Sequence, residues 1–183
     1  MVVFGCGGVG MNAVQGARFA GAKNVIAVDP LEMKLEVAQS VGATHVRTSA
    51  DEAFELVTQI TYGELADVAV VTVGTMTAEV MRQAVNIVGK GGTVVATAVG
   101  SREVNQLEIP IGLLLGYQRR IQGVLCGNTN PLYDIPRLLG LYGSGDLKLE
   151  ELITQRYTLD QVNEGYTDLM EGRNVRGVII HEH

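Results

Sequence analysis

The residues best suited to chemistry come first in the chain. Val2-Val3-Phe4 runs into Gly5-Cys6-Gly7-Gly8-Val9-Gly10, and a helical pattern follows at once. Glycines in G-x-G-x-x-G spacing between a strand and a helix form a phosphate cradle. Gly5 permits the tight turn, Gly7 lets the backbone approach a pyrophosphate, and Gly10 lets the helix lie close to the sheet. Gly8 and Val9 complete the loop, and the first helical N–H groups after it would face the phosphates, with the positive end of the helix dipole behind them. Asp29 stands about 20 residues further on, at the end of Asn24-Val25-Ile26-Ala27-Val28. A carboxylate there accepts hydrogen bonds from an adenosine ribose and repels a 2′-phosphate, so the pattern predicts NAD in preference to NADP. A bare strand-to-helix turn would explain the glycines, but not the acidic residue in register with them.

The rest of the chain supplies the elements that would hold this loop. Helices are expected over Met11–Ala20, from Pro30 to about Val41, from a Ser49 cap through Ile60, and over Thr77–Val88. Between them lie apolar strands at Val25–Val28, His45–Arg47, Val68–Val73 (preceded by Asp67) and Thr93–Ala98, the last after a Lys90-Gly91-Gly92 turn. Val104–Gly116 is looser, with Leu113-Leu114-Leu115 expected in the core, and Ile121–Cys126 is a sixth strand. This alternation predicts a Rossmann-type, doubly wound parallel sheet of six strands with helices on both faces. From Asn128 the character changes to an α/β tail. It comprises a helix over Tyr133–Tyr142, a Gly143-Ser144-Gly145 turn, a short apolar element at Leu149–Ile153, a helix capped by Thr158, and a terminal strand over Arg176–His181. The expected division is residues 1–127 and 128–183.

Composition narrows the function. A net charge of −6 argues against nucleic acid, whose phosphates call for a basic face. No apolar run reaches the roughly 18 residues of a membrane span, and glycines break the only apolar start. Cys6 and Cys126 form no C-x-x-C and have no nearby histidine. Both are expected as small buried thiols in a reducing, cytoplasmic setting, with no metal site in this chain. The first strand has three residues before its phosphate loop, where about five to six are usual. The expectation is therefore a later portion of something longer.

These features together resemble the coenzyme-binding half of the medium-chain, zinc-type alcohol dehydrogenases. The markers are the Gly5–Gly10 loop, Val28-Asp29, Val41-Gly42-Ala43-Thr44, Asp67, Val73-Gly74, Lys90-Gly91-Gly92 and Gly172-Arg173-Asn174-Val175-Arg176-Gly177. Met11–Ala17 and Tyr133–Leu139 are similar to the actinobacterial nicotinoprotein, nitrosoaniline-dependent members. The resemblance implies that Asp29 and Lys34 reach the adenosine ribose and that Val73 lines the adenine side. It implies that Thr97 and Val99 flank the nicotinamide, that the backbones of Val124 and Cys126 hold its carboxamide, and that Arg176 pairs with the pyrophosphate. For Lys34 a solvated helix face competes with this role; for Val73, Thr97, Val99 and Val124 plain core packing does.

In that family a zinc ion held by an N-terminal domain polarises the alcohol oxygen so that hydride can leave for the nicotinamide. Its ligands would precede Val2, so zinc is implied only for the complete enzyme, and the tail after Asn128 would return to that domain. The implied function is the NAD-binding portion of an enzyme converting a primary alcohol to an aldehyde, inactive on its own and associating as a homodimer or larger. The alternative is a self-standing NAD-binding module without catalysis, since a fold does not fix a function.

Overall fold

The computed structural model of the chain describes residues 1–98, 106 and 108–181. Its first compact unit, Met1–Thr129, is built on six parallel strands. These are β1 (Val2–Phe4), β2 (Ile26–Val28), β3 (His45–Arg47), β4 (Ala66–Val71), β5 (Val88–Ala96) and β6 (Arg120–Gly123), in the order β3-β2-β1-β4-β5-β6. The helices of this unit are α1 (Gly8–Phe19), α2 (Glu32–Ser40), α3 (Ala50–Ile60), α4 (Ala78–Ile87) and α5 (Ile111–Tyr117). The expected doubly wound sheet is present.

Strand order reverses between β1 and β4, so right-handed crossovers send α1 and α2 to one face and α3 and α4 to the other. Alternation along the strands fills both layers. Val2 and Phe4 join Ile26, Val28, Ala69 and Val71 in a core shared with α3 and α4, while Val3, equally buried, points to the opposite face. The helices start where side chains supply caps: Ser49 Oγ accepts from Glu52 N–H at 3.3 Å and Thr77 Oγ1 from Val80 N–H at 3.2 Å.

The structure corrects several expected boundaries. β4 runs over Ala66–Val71, so Asp67 lies inside the strand and Thr72-Val73 beyond it. β5 begins at Val88, pairs with Ala66, and then shifts register before Thr93, with Gly91 at φ +74° in the irregularity. Leu113-Leu114-Leu115 is not a buried cluster: the first two are half-buried and Leu115 is 74% exposed. Three successive apolar residues span most of a helix turn, and a helix lying on β5 buries only one side. β6 stops at Gly123 because the chain turns through left-handed residues at Cys126, Gly127 and Asn128, φ 47°, 70° and 52°. Cys126 is thereby exposed, whereas Cys6 is buried as expected.

The second unit, Asn130–His183, carries α6 (Pro131–Gly143), β7 (Ile153–Tyr157), α7 (Val162–Met170) and β8 (Arg176–Ile179). α6 starts ahead of the expected Tyr133 because Asn130 caps Leu132 N–H and Pro131 occupies the first helical position. The short apolar element expected at Leu149–Ile153 is a 3-10 turn over Glu150–Leu152 with Leu152 buried, and β7 follows it directly and pairs in parallel with β8. Its sequence, Ile153-Thr154-Gln155-Arg156-Tyr157, has no apolar run to announce it. At its end, the Tyr157 hydroxyl donates to Asp168 at 2.6 Å and accepts from Asn174 at 3.1 Å. β8 ends at Ile179, two residues before the expected His181.

Candidate functional site

The candidate site is the crevice where the strand order reverses, at the carboxyl ends of β1 and β4. Leaving β1, Gly5 takes φ +89°, a conformation that favours glycine, and its N–H donates to Val28 carbonyl at 2.8 Å. A Cβ on Gly5 would come within 2.8 Å of Val73 N, so the turn lies directly against the chain leaving β4. Thr72 Oγ1 stands 2.7 Å from Gly5 carbonyl and 2.9 Å from Phe4 carbonyl, offering its single proton to either. Gly10 is buried against the same turn, and a Cβ there would collide with Gly5 carbonyl.

Gly7 behaves differently. Nothing lies within 4 Å of where its Cβ would point, so the loop presents an open face there. Gly7 is also the N-cap of α1, with no side-chain cap and no acid in the first turn. The opening amides of α1, at Gly8, Val9 and Gly10, have no acceptor within their own helix. Uncapped donors beside open space and a helix dipole make a fitting cradle for a pyrophosphate.

Asp29 closes the other side of the crevice. It is 6% exposed, and its N–H continues the ladder by donating to Arg47 carbonyl at 3.2 Å. Its Oδ2 accepts from Cys6 N–H at 2.8 Å, and its Oδ1 from Leu31 N–H at 3.0 Å. The two oxygens together offer about four acceptor positions, so two remain for other donors. The Cys6 thiol is pushed up to about 12, first by burial and then by the Asp29 charge, against which the Lys34 ammonium acts. It is not a nucleophile at neutral pH. Lys34 itself is half-buried on α2, close enough to be felt at Cys6.

The structure thus gathers Gly5, Gly7, Gly8, Val9, Gly10, Asp29 and Val73 around one crevice, with Lys34 at its margin. Thr97 and Val124 also lie at the carboxyl ends of their strands. Thr97 donates through Oγ1 to Val71 carbonyl at 3.0 Å, and Val124 N–H donates to Ala96 carbonyl at 2.9 Å. Val124 N–H is therefore engaged, which leaves its carbonyl as the group able to meet a carboxamide. Cys126 offers only its exposed left-handed backbone, and its carbonyl accepts Thr129 Oγ1 at 2.9 Å. Val99 lies outside the described residues. Arg176 is exposed at the start of β8 in the second unit, and its assignment to a pyrophosphate rests on the resemblance alone.

Sequence reasoning missed Thr72, which ties β4 to the glycine turn; a threonine ending an apolar strand carries no distinguishing signal. It also read Cys6 only as a core thiol and overlooked its N–H. Among the described residues, no donor set fits a zinc ion. Cys6 is sealed in the core, Cys126 stands alone at the surface, and no group of three or more His, Cys, Asp or Glu side chains is gathered among the described residues. Among those residues, no helix is long and apolar enough to cross a membrane.

Comparisons with known proteins agree with this geometry. The family described as "Zinc-binding dehydrogenase" matches residues 8–142. The NDMA-dependent alcohol dehydrogenase of Amycolatopsis methanolica is 52% identical over 180 residues, covering 98% of this chain and 48% of that protein. An alcohol dehydrogenase zinc-binding domain protein from Burkholderia ambifaria superposes with a TM-score of 0.90 at 30% identity, over 100% of this chain and 48% of that one. The benzyl alcohol dehydrogenase of Acinetobacter calcoaceticus gives 0.86 at 30% identity, over 97% and 48%. The chain spans about half the length of the curated relatives it matches.

Proposed function

Because the chain belongs to the zinc-binding dehydrogenase family, we propose that it is the NAD-binding portion of an NAD-dependent alcohol dehydrogenase. The observation that carries this reading is Asp29, buried at the end of β2, with one oxygen bonded to the glycine turn and the other to Leu31 N–H, and with acceptor capacity left on its carboxylate. A ribose hydroxyl would find an acceptor there, and a 2′-phosphate would meet an unpaired carboxylate.

Residues 1–127 are the dinucleotide-binding domain in this reading. Residues 128–183 are the segment that would pack on the catalytic domain. The Gly5–Gly10 backbone and the α1 amides bind the pyrophosphate, and Asp29 and Lys34 orient the ribose. Val73 bounds the adenine side, while Thr97, Val99 and the Val124 and Cys126 backbones orient the nicotinamide. When bound, the nicotinamide supplies the hydride acceptor for a primary alcohol going to an aldehyde. In this reading the side chains named here bind and orient the cofactor. Zinc chemistry is assigned to the half of the relatives' length that this chain does not span. The two unpaired cysteines favour the cytoplasm, and the open edge of β6 favours a homodimer.

Calorimetric titration with NADH and with NADPH tests the reading. NADH should bind more tightly by on the order of 1–3 kcal/mol, the scale of a charge-assisted hydrogen bond. Equal or tighter NADPH binding removes the assignment.

A further inference from the structure

Asp29 does two things at once in this fold. One oxygen holds the N–H of Cys6, inside the glycine turn, and the other holds the N–H of Leu31, where the chain enters α2. The neighbouring groups of the turn are fixed by strands: Gly5 N–H by Val28 carbonyl, and Gly5 carbonyl by Thr72. Beyond Gly5, the turn is held at Cys6, whose N–H donates to Asp29 at 2.8 Å and whose buried thiol donates weakly to Val28 carbonyl at 3.8 Å, with Gly7 and Gly8 following in sequence.

We propose that Asp29 is a positioning residue for the pyrophosphate loop, so that the ribose subsite and the phosphate subsite move as one body. The proposal rests on the dinucleotide-binding reading and deepens it. A glycine-rich turn has more conformational freedom to lose than any other, so one charge-assisted bond at its centre sets whether the α1 amides are aimed before a ligand arrives. The same two bonds lock the carboxylate. Asp29 cannot swing aside from a 2′-phosphate without releasing both Cys6 and Leu31, so rejection of that phosphate is rigid. Replacing Asp29 should therefore weaken phosphate binding generally, instead of converting the site from one nucleotide to the other.

The test uses the full 183-residue chain with Asp29→Asn and Asp29→Ala. Amide exchange at Cys6 reports the tether, and inorganic pyrophosphate, which has no ribose, reports the loop. Thermal melting reports the fold. In Asp29→Ala, exchange at Cys6 should speed by at least about tenfold, the low end for a bond to a charged group. Pyrophosphate should bind more weakly, while the melt stays cooperative. Asp29→Asn keeps one acceptor and should fall between the two. If Asp29→Ala does not fold, Asp29→Asn decides alone. Wild-type exchange at Cys6 and unchanged pyrophosphate binding in a folded variant would overturn the proposal. Failure of the wild type to bind NADH, with the tether intact, would instead remove the nucleotide reading.

Discussion

Thr72 Oγ1 lies 2.7 Å from the carbonyl oxygen of Gly5, and a Cβ placed on Gly10 would reach to 2.8 Å of that hydroxyl while striking the same carbonyl. The first and third glycines of the loop are therefore packing residues, closed in by Thr72 and Val73 where the chain leaves β4. The middle one is open.

Gly10→Ala and Gly7→Ala should then fail in different ways. Gly10→Ala overpacks a buried contact and should cost about 1–3 kcal/mol of stability along with NADH binding. Gly7 has φ −80° and free space beside it, so Gly7→Ala should melt as the wild type does. Its methyl group would still intrude where the pyrophosphate approaches, and NADH affinity should drop. Chemical denaturation and calorimetry on both variants check this. Equal destabilisation by the two would contradict the distinction.

The second unit should lose stability at both ends of the pH scale. The hydrogen bond from Tyr157, with a second from Arg173, holds the Asp168 carboxyl below its ordinary 3.8. That contribution is present above the ordinary value and disappears as pH falls through the lowered one. The same bond to Asp168 raises the Tyr157 phenol above its ordinary 10.0, so its contribution is present below that value and is lost as pH rises. Tyr157→Phe should flatten both limbs of a melting-temperature profile. Limbs that persist unchanged in the variant would assign the pH dependence to other groups.

Association should run through the free edge of the sheet. Among the described residues β6 has β5 on one side and no strand on the other, and Ile121 and Leu125 nearby are 36% and 83% exposed. Exposed strand edges beside apolar side chains favour pairing with another chain. Light scattering over a concentration series should show a dimer or larger species, and Ile121→Asp should shift it toward monomer. A monomeric mass at every concentration would discard this interface.

The sequence alone determined the elements whose signals are local. Glycine spacing, the Val28-Asp29 boundary and the Ser49 cap are written in adjacent positions, so the loop and the alternation of strands and helices were legible. Strand and helix ends were less so, because Ala66–Val88 pairing and the left-handed turn at Cys126 are settled by partners far along the chain or by backbone geometry. β7 was hidden because only pairing with β8 makes a strand of Ile153–Tyr157. Tertiary structure also decided what the site residues touch. Asp29 could be placed beside a ribose from its spacing, but its bond to Cys6 joins residues 23 positions apart and exists only once β1 and β2 lie side by side. Likewise Thr72 meets Gly5 only because the sheet brings β4 against β1, across 67 residues of chain.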